Sequence, residues 1–577
     1  MSQVNNILYE EKEITEEEIQ IAKKLMNNNI HPVMSYVYAF RNIKDINDLN
    51  NAEQLISFQL LENIEKSSII LRNAIQKNKR ICIVADYDAD GATSTALMIL
   101  ALRKMGAQVE YLVPDRFKYG YGLTPAIADL AFTSFTPDLL ITVDNGISSH
   151  DGVKQAQDHG MQVIITDHHL TTKPTPSAQA VVNPNQLGCD FPSKALAGVG
   201  VAFYVLANLS TYRKKLNKSS AIMSQYLDLV ALGTYADVAS LDYNNRILVD
   251  VGLKRIQQHL CRPGISALLE IAGREATTLK AQDLGFVLGP RINAAGRMET
   301  MDIGIECLLA QDFASAYPLA EQLNQLNVER RQVEATMKQE ALIALDQIQL
   351  DDTVLPAALI MFEPHWHQGV IGIVAGRLKE QFHRPSIVFA ADEDGVHIKG
   401  SARSIEGVHI RDAIECVAEQ YPHLVSHFGG HAAAAGLTIQ KVHFEEFKQA
   451  FEALMAAQDE GLFTATLWTD GELAAENIQV ETVDLLQQIS PWGQKFPAPI
   501  FEGNFQILDF RWLKEVHLKL RIALDNGQVV DAIAFNAADK YQFNEMNHQV
   551  RLVYELDKNE FRGNVSVQLR ILHLEQY

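Results

Sequence analysis

Three times within the first 170 residues, a short apolar run of strand-forming residues ends directly in acid. Ile81-Cys-Ile-Val-Ala85 leads into Asp86-Tyr-Asp88-Ala-Asp90-Gly91, Leu139-Leu-Ile-Thr-Val143 into Asp144-Asn-Gly146, and Val163-Ile-Ile-Thr166 into Asp167-His168-His169. A further run, Val109-Glu-Tyr-Leu-Val113, lies between the first two, and helical patterns such as Thr93 to Met105 separate the runs. Strands alternating with helices predict a mostly parallel sheet covered on both faces. In such a sheet the C-terminal strand ends share one edge, where ligands bind. Acids far apart in sequence would therefore meet in one cleft. Bare carboxylates gathered there repel, and some would have to stay protonated. Two divalent cations, roughly 3.5–4 Å apart, resolve the repulsion and can activate water and stabilise a leaving oxygen in phosphodiester hydrolysis. Oxygen-rich ligands with a few imidazoles suit Mn²⁺ or Mg²⁺ better than structural zinc.

Taken singly, each cluster has an ordinary explanation. A lone Asp-x-Asp is usually a loop or a helix cap, Val-Asp-Asn-Gly a turn, and adjacent histidines surface residues or core donors. The first cluster also resembles a calcium loop, but Leu97 stands where that loop needs its twelfth-position Glu, and a strand precedes it. The shared placement after successive strands is what favours a common site.

The rest of the chain divides by texture. Apolar residues at helical spacing in Ile30 to Arg41 and Ile64 to Gln76 predict a helical N-terminal region. A long polar-faced helix is expected from about Ala314 to Ile348, followed by a second α/β segment containing Ala357 to Met361, Ser386 to Phe389 and Val396 to Gly400. Beyond about residue 460, alternating runs such as Val516 to Leu524 and Val565 to Ile571 predict a small barrel. The start, MSQVNNILYEEKEITEEEIQ, lacks the basic and apolar parts of a secretory signal, and no apolar run is long enough to span a bilayer. The five cysteines are scattered with no CxxC pair, against a disulfide framework or zinc ribbon. A cytoplasmic protein with no membrane association is expected. The net charge of −21 counts against a nucleic-acid partner. A basic cleft can nevertheless coexist with an acidic exterior, and bound cations would cancel part of the formal charge.

The motifs Asp86-Tyr-Asp-Ala-Asp-Gly-Ala-Thr-Ser94, Thr142-Val-Asp-Asn-Gly-Ile147 and Thr166-Asp-His-His169 resemble those of the DHH phosphoesterases. The fuller ordered set resembles the RecJ family within them. It comprises Tyr119-Gly-Tyr-Gly-Leu123, Val182-Asn-Pro184, Gly233-Thr-Tyr-Ala-Asp-Val238, Leu288-Gly-Pro-Arg-Ile-Asn-Ala-Ala-Gly-Arg297, Trp366-His-Gln-Gly369 and Gly429-Gly-His-Ala-Ala-Ala-Ala-Gly436. The resemblance, which runs from about residue 25 to the end, implies an α/β fold. A DHH parallel-sheet domain (76–310) and a smaller DHH-associated α/β domain (351–460) would be joined by a long helix (311–350). An N-terminal helical region (1–75) would precede them and a C-terminal OB-like β-barrel (461–577) would follow. It assigns Asp88 and Asp144 to one metal ion, and Asp90, Asp144, His168 and Asp237 to the other. His169 would face the scissile phosphate, and Asp86 would be an additional ligand or an acid behind the ligands. Many DHH enzymes carry a His where this chain has Val84, so either the first metal ion binds more weakly or Asp86 and water fill that gap.

For the substrate, Arg291, Ser401 and Arg403 are candidates for the DNA 5′ end, and Gly430 and His431 for backbone-mediated phosphate binding. The alanines after His431 otherwise read as a packed helix start. His365 and His367, flanking Trp366, are expected to be structural or DNA-facing. Trp512, Lys514, Lys519 and Arg521 are candidate single-strand contacts in the barrel, where aromatic stacking beside basic groups would bind bases, although core packing explains the aromatics at least as well. The implied activity is a 5′→3′ exonuclease on single-stranded DNA that releases 5′-mononucleotides. It would use two Mn²⁺ or Mg²⁺ ions and act in recombination and repair. The protein would be a monomer, with single-strand-binding protein and other repair factors as partners. A small-molecule or oligonucleotide phosphodiesterase of the DHH type and a non-catalytic DNA-binding scaffold are the alternatives. The first usually lacks the terminal regions present here, and the second usually lacks the acids.

Overall fold

The computed structural model describes residues 7–49, 52–171, 173–349, 355–488, 491–538, 541, 543, 548–561 and 563–577. The chain forms two compact units: one of Ile14–Asn327 with Asp484–Ala498, the other of Met1–Glu13, Val328–Val483 and Pro499–Tyr577.

The segment expected to be wholly helical opens instead with strand β1 (Ile7–Glu11), which pairs in parallel with Ala465–Thr469. The helices follow, among them α1 (Ile64–Gln76). Strand β2 (Arg80–Val84) then enters a five-stranded parallel sheet with β3 (Gln108–Leu112), β4 (Leu139–Val143), β5 (Gln162–Thr166) and β6 (Ala180–Val182), in the order β3-β2-β4-β5-β6. All five residues of β4 are buried, as are four of the five in each of β2 and β5, which is why these strands read as unbroken apolar runs. Helix α2 (Ala89–Lys104) follows β2 and is buried nearly all round. The chain first adds β3 on one side of β2, then returns to build β4, β5 and β6 on the other. That reversal makes the β2/β4 boundary a topological switch point, where the C-terminal strand ends leave a crevice. Helices α3 (Gly198–Lys215), α4 (Leu227–Ala236) and α5 (Gly289–Met298) complete the surroundings of this edge.

Helix α6 (Phe313–Gln349) carries the chain into the second unit. There β7 (Leu359–Phe362), α7 (Ile371–Phe382), β8 (Ser386–Ala391), β9 (His397–Arg403), α8 (Ile410–Gln420), β10 (His427–Gly430), β11 (Ala434–Gln440) and α9 (Phe444–Ala456) build a mixed sheet of order β10-β11-β9-β8-β7. In its core Phe389 meets Phe447 of α9 edge-on, and Phe447 stacks on Phe451. The alanine run Ala432–Ala435 is the turn and first strand residues of the β10–β11 hairpin, correcting the helix-start alternative. After β12 (Ala465–Thr469), the strands β13 (Phe501–Leu513), β14 (His517–Ala523), β15 (Val529–Ala534), β16 (Gln549–Phe561) and β17 (Asn564–Gln576) close a barrel. No helix among the described residues is long and apolar enough to cross a membrane.

Candidate metal centre and substrate-binding elements

At the switch point, β2 ends and Asp86, Asp88 and Asp90 follow within one turn. Asp88 caps α2, its Oδ1 accepting from Asp90 N–H (2.9 Å) and Gly91 N–H (3.0 Å). Asp144 leaves β4 in the left-handed region (φ 61°), which turns its carboxylate into the crevice while its N–H still bonds Thr166 O. His168 follows β5, and Asp237 is the residue that closes α4.

These side chains form overlapping groups. Oxygens of Asp86, Asp88 and Asp144 lie within 4.8 Å of one another, as do ligand atoms of Asp90, His168 and Asp237, and those of Asp144, His168 and His169. His168 Nε2 is 3.0 Å from Asp144 Oδ1 and 4.0 Å from both Asp90 Oδ2 and Asp237 Oδ2, so Asp144 sits where the groups meet. Val84 is buried in the sheet core beside Cys82 and Ile165, and Asp86 joins Asp88 and Asp144 in its place.

The electrostatics are those of a site built for cations. Burial, then the neighbouring Asp90, Asp88, Asp86 and Asp237, push the Asp144 carboxyl well above its ordinary range. Burial and the charges of Asp90 and Asp88 do the same to Asp237, and burial with Asp88 raises Asp90 to about 7. His168 is held down to about 4 by burial and by the adjacent His169. His169 goes the other way: burial opposes its charge, but its hydrogen bond to Asp167 and the charges of Asp167, Asp86 and Asp237 outweigh that and raise it to about 9. Asp144 Oδ1 is buried, with the His168 imidazole 3.0 Å away. A carboxylate-rich donor set with one imidazole, so crowded that several of its acids are driven toward the neutral form, fits hard divalent cations.

Much of the supporting framework falls outside the residues chosen from the sequence. Both Asp90 oxygens accept from the first N–H groups of α3, Gly198 (2.6 Å) and Val199 (2.8 Å), which sets the carboxylate on a helix N-terminus. Asn293 Oδ1 accepts from Ala89 N–H (2.7 Å) and so ties α5 to the acidic loop. Asn185 and Asn183 donate to the carbonyls of His168 (2.6 Å) and His169 (2.9 Å). Asp167 is a strut: its oxygens accept from the N–H groups of Ile147, His168 and His169 and meet His169 Nδ1 at 2.7 Å. Tyr121 Oη donates to Asp144 O and lies 3.3 Å from His169 Nε2. The motifs holding Tyr121, Asn183 and Asn293 were visible in the sequence without roles; Gly198 and Asn185 carried no signal.

In the second unit, Ser401 and Arg403 lie two apart on β9 and so share a face. Arg403 Nη1 donates to Ser401 Oγ (3.0 Å), and a Cβ added at Gly372 would fall 2.8 Å from that Oγ and 2.9 Å from Arg403 Nη2. Both side chains therefore lie against the first turn of α7, where Ile371 N–H already bonds His367 O and Ile373 N–H bonds Val370 O. Burial lowers the Arg403 pKa. The neighbouring strand β11 sets Ala434 opposite Arg403 and Gly436 opposite Ser401, and its hairpin tip carries Gly430 and His431. Gly430 has φ 143° and leaves no room for a Cβ beside Ala434 and Ala435. His365 Nε2 and Trp366 Nε1 both meet Glu340 on α6 (2.9 and 2.7 Å), and His367 Nδ1 accepts from Gly369 N–H, so these histidines hold structure. Arg291, in the first unit, bonds Asn324 Oδ1 and Val287 O, tying α5 to α6.

In the barrel, strand pairing sets Trp512 opposite Leu518 but Arg521 opposite Asp509 and Asp531. Trp512 accordingly shares the face of the buried Leu518 and Leu520 and packs edge-on against Phe543, while Lys519 and Arg521 occupy the other face. Lys519 is paired with Asp531 at 2.6 Å, and Lys514 sits in the β13–β14 turn with φ 51°. The aromatic and the basic side chains are therefore not one contiguous platform.

Residues 80–234 match the DHH family, N-terminal domain, residues 353–457 the DHHA1 domain, and residues 469–573 the RecJ OB domain. Over 567 residues the chain is 47% identical to the single-stranded-DNA-specific exonuclease RecJ of Dickeya dadantii (strain 3937), covering 96% of this chain and 97% of that one. Among solved structures, RecJ of Thermus thermophilus in complex with Mn²⁺ matches with a TM-score of 0.84 and 28% identity over 99% of this chain and 80% of that one. The Mg²⁺ complex from the same organism gives a TM-score of 0.77 at 27% identity over 99% and 78%.

Proposed function

The chain belongs to the RecJ family of single-stranded-DNA-specific exonucleases, and from that premise we propose that it hydrolyses single-stranded DNA from the 5′ end and releases 5′-mononucleotides. The observation that carries the metal-dependent hydrolysis is the convergence of Asp86, Asp88, Asp90, Asp144, His168 and Asp237 at the switch point; the 5′ polarity follows from the family. These residues would hold two divalent cations, Mn²⁺ or Mg²⁺, with Asp144 shared. Bound there, the cations supply Lewis acidity, activating water and neutralising charge on the leaving 3′ oxygen.

The chain's own groups do the rest. His169, with Nδ1 held by Asp167, would present Nε2 to a phosphate oxygen and stabilise developing negative charge there by hydrogen bonding. Arg403 and Ser401 would take the terminal 5′ phosphate, with the Gly430–His431 tip beside them. Arg291, Trp512, Lys514, Lys519 and Arg521 remain candidates for contacts further along the strand. The same reading makes the protein a cytoplasmic monomer in recombination and repair, working beside single-strand-binding protein.

The direct test uses 5′- and 3′-labelled single- and double-stranded DNA with Mn²⁺, Mg²⁺ or EDTA. Early release of the 5′ label from single strands, abolished by EDTA, is expected. Cutting in EDTA, or activity confined to dinucleotides, defeats the proposal. The cations should also stabilise the fold: at 100 times the dissociation constant a bound ion adds about 2.7 kcal/mol. Thermal melts should therefore shift upward with Mn²⁺ and fall back with EDTA.

Arg403→Ala should cost the enzyme its preference for a 5′-phosphorylated end. Hydrogen bonds to charged groups contribute about 1.5–3 kcal/mol, so kcat/KM on that substrate should fall roughly 10- to 150-fold. A 5′-hydroxyl strand should be much less affected. An equal loss on both substrates removes Arg403 from end recognition.

A further inference from the structure

The DHHA1 domain holds a second set of metal-ligating side chains, separate from the acid cluster. His423 Nε2 lies 3.1 Å from Glu446 Oε1, and His443 Nδ1 lies 3.7 Å from Glu446 Oε2. The ligand atoms of all three fall within 4.8 Å of one another, and the two imidazoles meet edge-on with centroids 5.2 Å apart. His443 immediately precedes α9 and Glu446 lies in its first turn, three residues on, so the two share one side of the helix start. His423 comes from the turn after α8. Around a tetrahedral ion with ligands at about 2.0–2.1 Å, the donors sit roughly 3.3 Å apart. Only small side-chain rotations separate the present spacing from that one, and with His423 and Glu446 each 52% exposed and His443 26% exposed, such rotations meet little resistance.

We propose that His423, His443 and Glu446 bind a zinc ion, with a fourth position left to water. Two imidazoles and one carboxylate form a donor set for a borderline-soft ion, in contrast to the oxygen-rich cluster at the switch point. The position gives the ion a structural consequence. His423 lies four residues before β10 begins, and His443 three residues after β11 ends, so the ligands stand at the open base of the hairpin whose tip carries Gly430 and His431. An ion there closes the base and restrains the hairpin, as a cross-link across any loop removes chain entropy.

The test uses the full-length protein with Mn²⁺ in excess and zinc titrated against a chromophoric chelator. It is run on Asp144→Asn as the parent and on the same protein also carrying His423→Ala/His443→Ala or Glu446→Gln, so that zinc taken up by the acid cluster is common to all and the difference counts this site. The parent should bind one equivalent more than the variants, whose affinity at this site should fall by about 100-fold or more, since even an outer-shell partner is worth 10–100-fold. Cobalt in place of zinc should give tetrahedral visible absorption that the variants lack, and zinc should slow hydrogen exchange across 427–440 only when the site is intact. In the Asp144 wild-type background, Mn²⁺-dependent exonuclease activity should be unchanged by the His423, His443 and Glu446 substitutions. No zinc uptake at micromolar concentration, or equal uptake by parent and variants, overturns the proposal.

Discussion

Asp144→Asn should abolish nuclease activity while leaving the metal-free protein more stable than the wild type. The substitution is chosen for its backbone. Asp144 sits at φ 61°, a region that Asn enters as readily as Asp and that Ala enters only with strain. The fold should therefore survive, and what changes is charge. Asp144 belongs to two of the ligand groups, and under the proposed assignment, in which both cations share it, its loss should weaken both positions. Removing one preorganised electrostatic group from an active site typically costs 10²–10³ in kcat, and a shared ligand should exceed that, giving a fall of about 10³-fold or more. Stability should move the other way. The Asp144 pKa is raised in the folded state, so the native form is favoured by protonation, and ionisation penalises it increasingly as pH rises past the ordinary carboxylate range. At neutral pH without metal the wild type carries that penalty and the amide does not. Melting curves in EDTA should place the Asp144→Asn variant above the wild type, and added Mn²⁺ should narrow or reverse the gap. Activity within tenfold of wild type at saturating Mn²⁺, or a metal-free melt below wild type, contradicts the assignment.

The site was legible before its surroundings were. Buried parallel strands appear as unbroken apolar runs, and acids placed straight after them break the local rule that such positions favour solubility or turns. Asp86 to Asp90, Asp144 and Asp167 to His169 could thus be found by position alone, whereas Asp237, at a helix end, was visible only through the family resemblance. Other features depended on partners distant in sequence. Strand β1 exists because Ala465–Thr469 offers it an edge, and nothing in residues 7–11 announces that partner. The run Ala432–Ala435 has high helix propensity, yet pairing with β9 makes its last residues strand. In β13, a bulge between Ile507 and Asp509 shifts the alternation by one residue. Such a slip moves every later side chain to the opposite face, and so Trp512 parts from Lys519 and Arg521. A bulge leaves no reliable mark in the sequence.

Gly198 left no mark either, and it provides the sharpest test of how the site is built. Its backbone is helical, so it is not glycine for the sake of an unusual φ. On propensity alone, Ala at a helical position is better than Gly by about 1 kcal/mol. The packing says the reverse. A Cβ at residue 198 would stand 2.6 Å from Asp144 Cβ and 2.7 Å from its Oδ1, inside van der Waals contact, while the Gly198 N–H is committed to Asp90 Oδ2 at 2.6 Å. Asp144 cannot easily retreat, because its left-handed backbone is pinned to Thr166 O. Gly198→Ala should therefore displace one or both carboxylates by a fraction of an ångström or more. Misplacement of about 1 Å can cost 10²-fold in rate, and a loss of that order in kcat is expected, with a raised Mn²⁺ requirement and little change in KM for DNA. Gly200→Ala, two residues along the same helix, is the control: the nearest atoms to its Cβ would be those of the Leu196 side chain, a terminal methyl at 3.0 Å, and not the acids. It should keep near-wild-type activity. If the two variants behave alike, the close approach of α3 to Asp144 is not what positions the acids, and the convergence at the switch point must be held by the acidic loop and α5 instead.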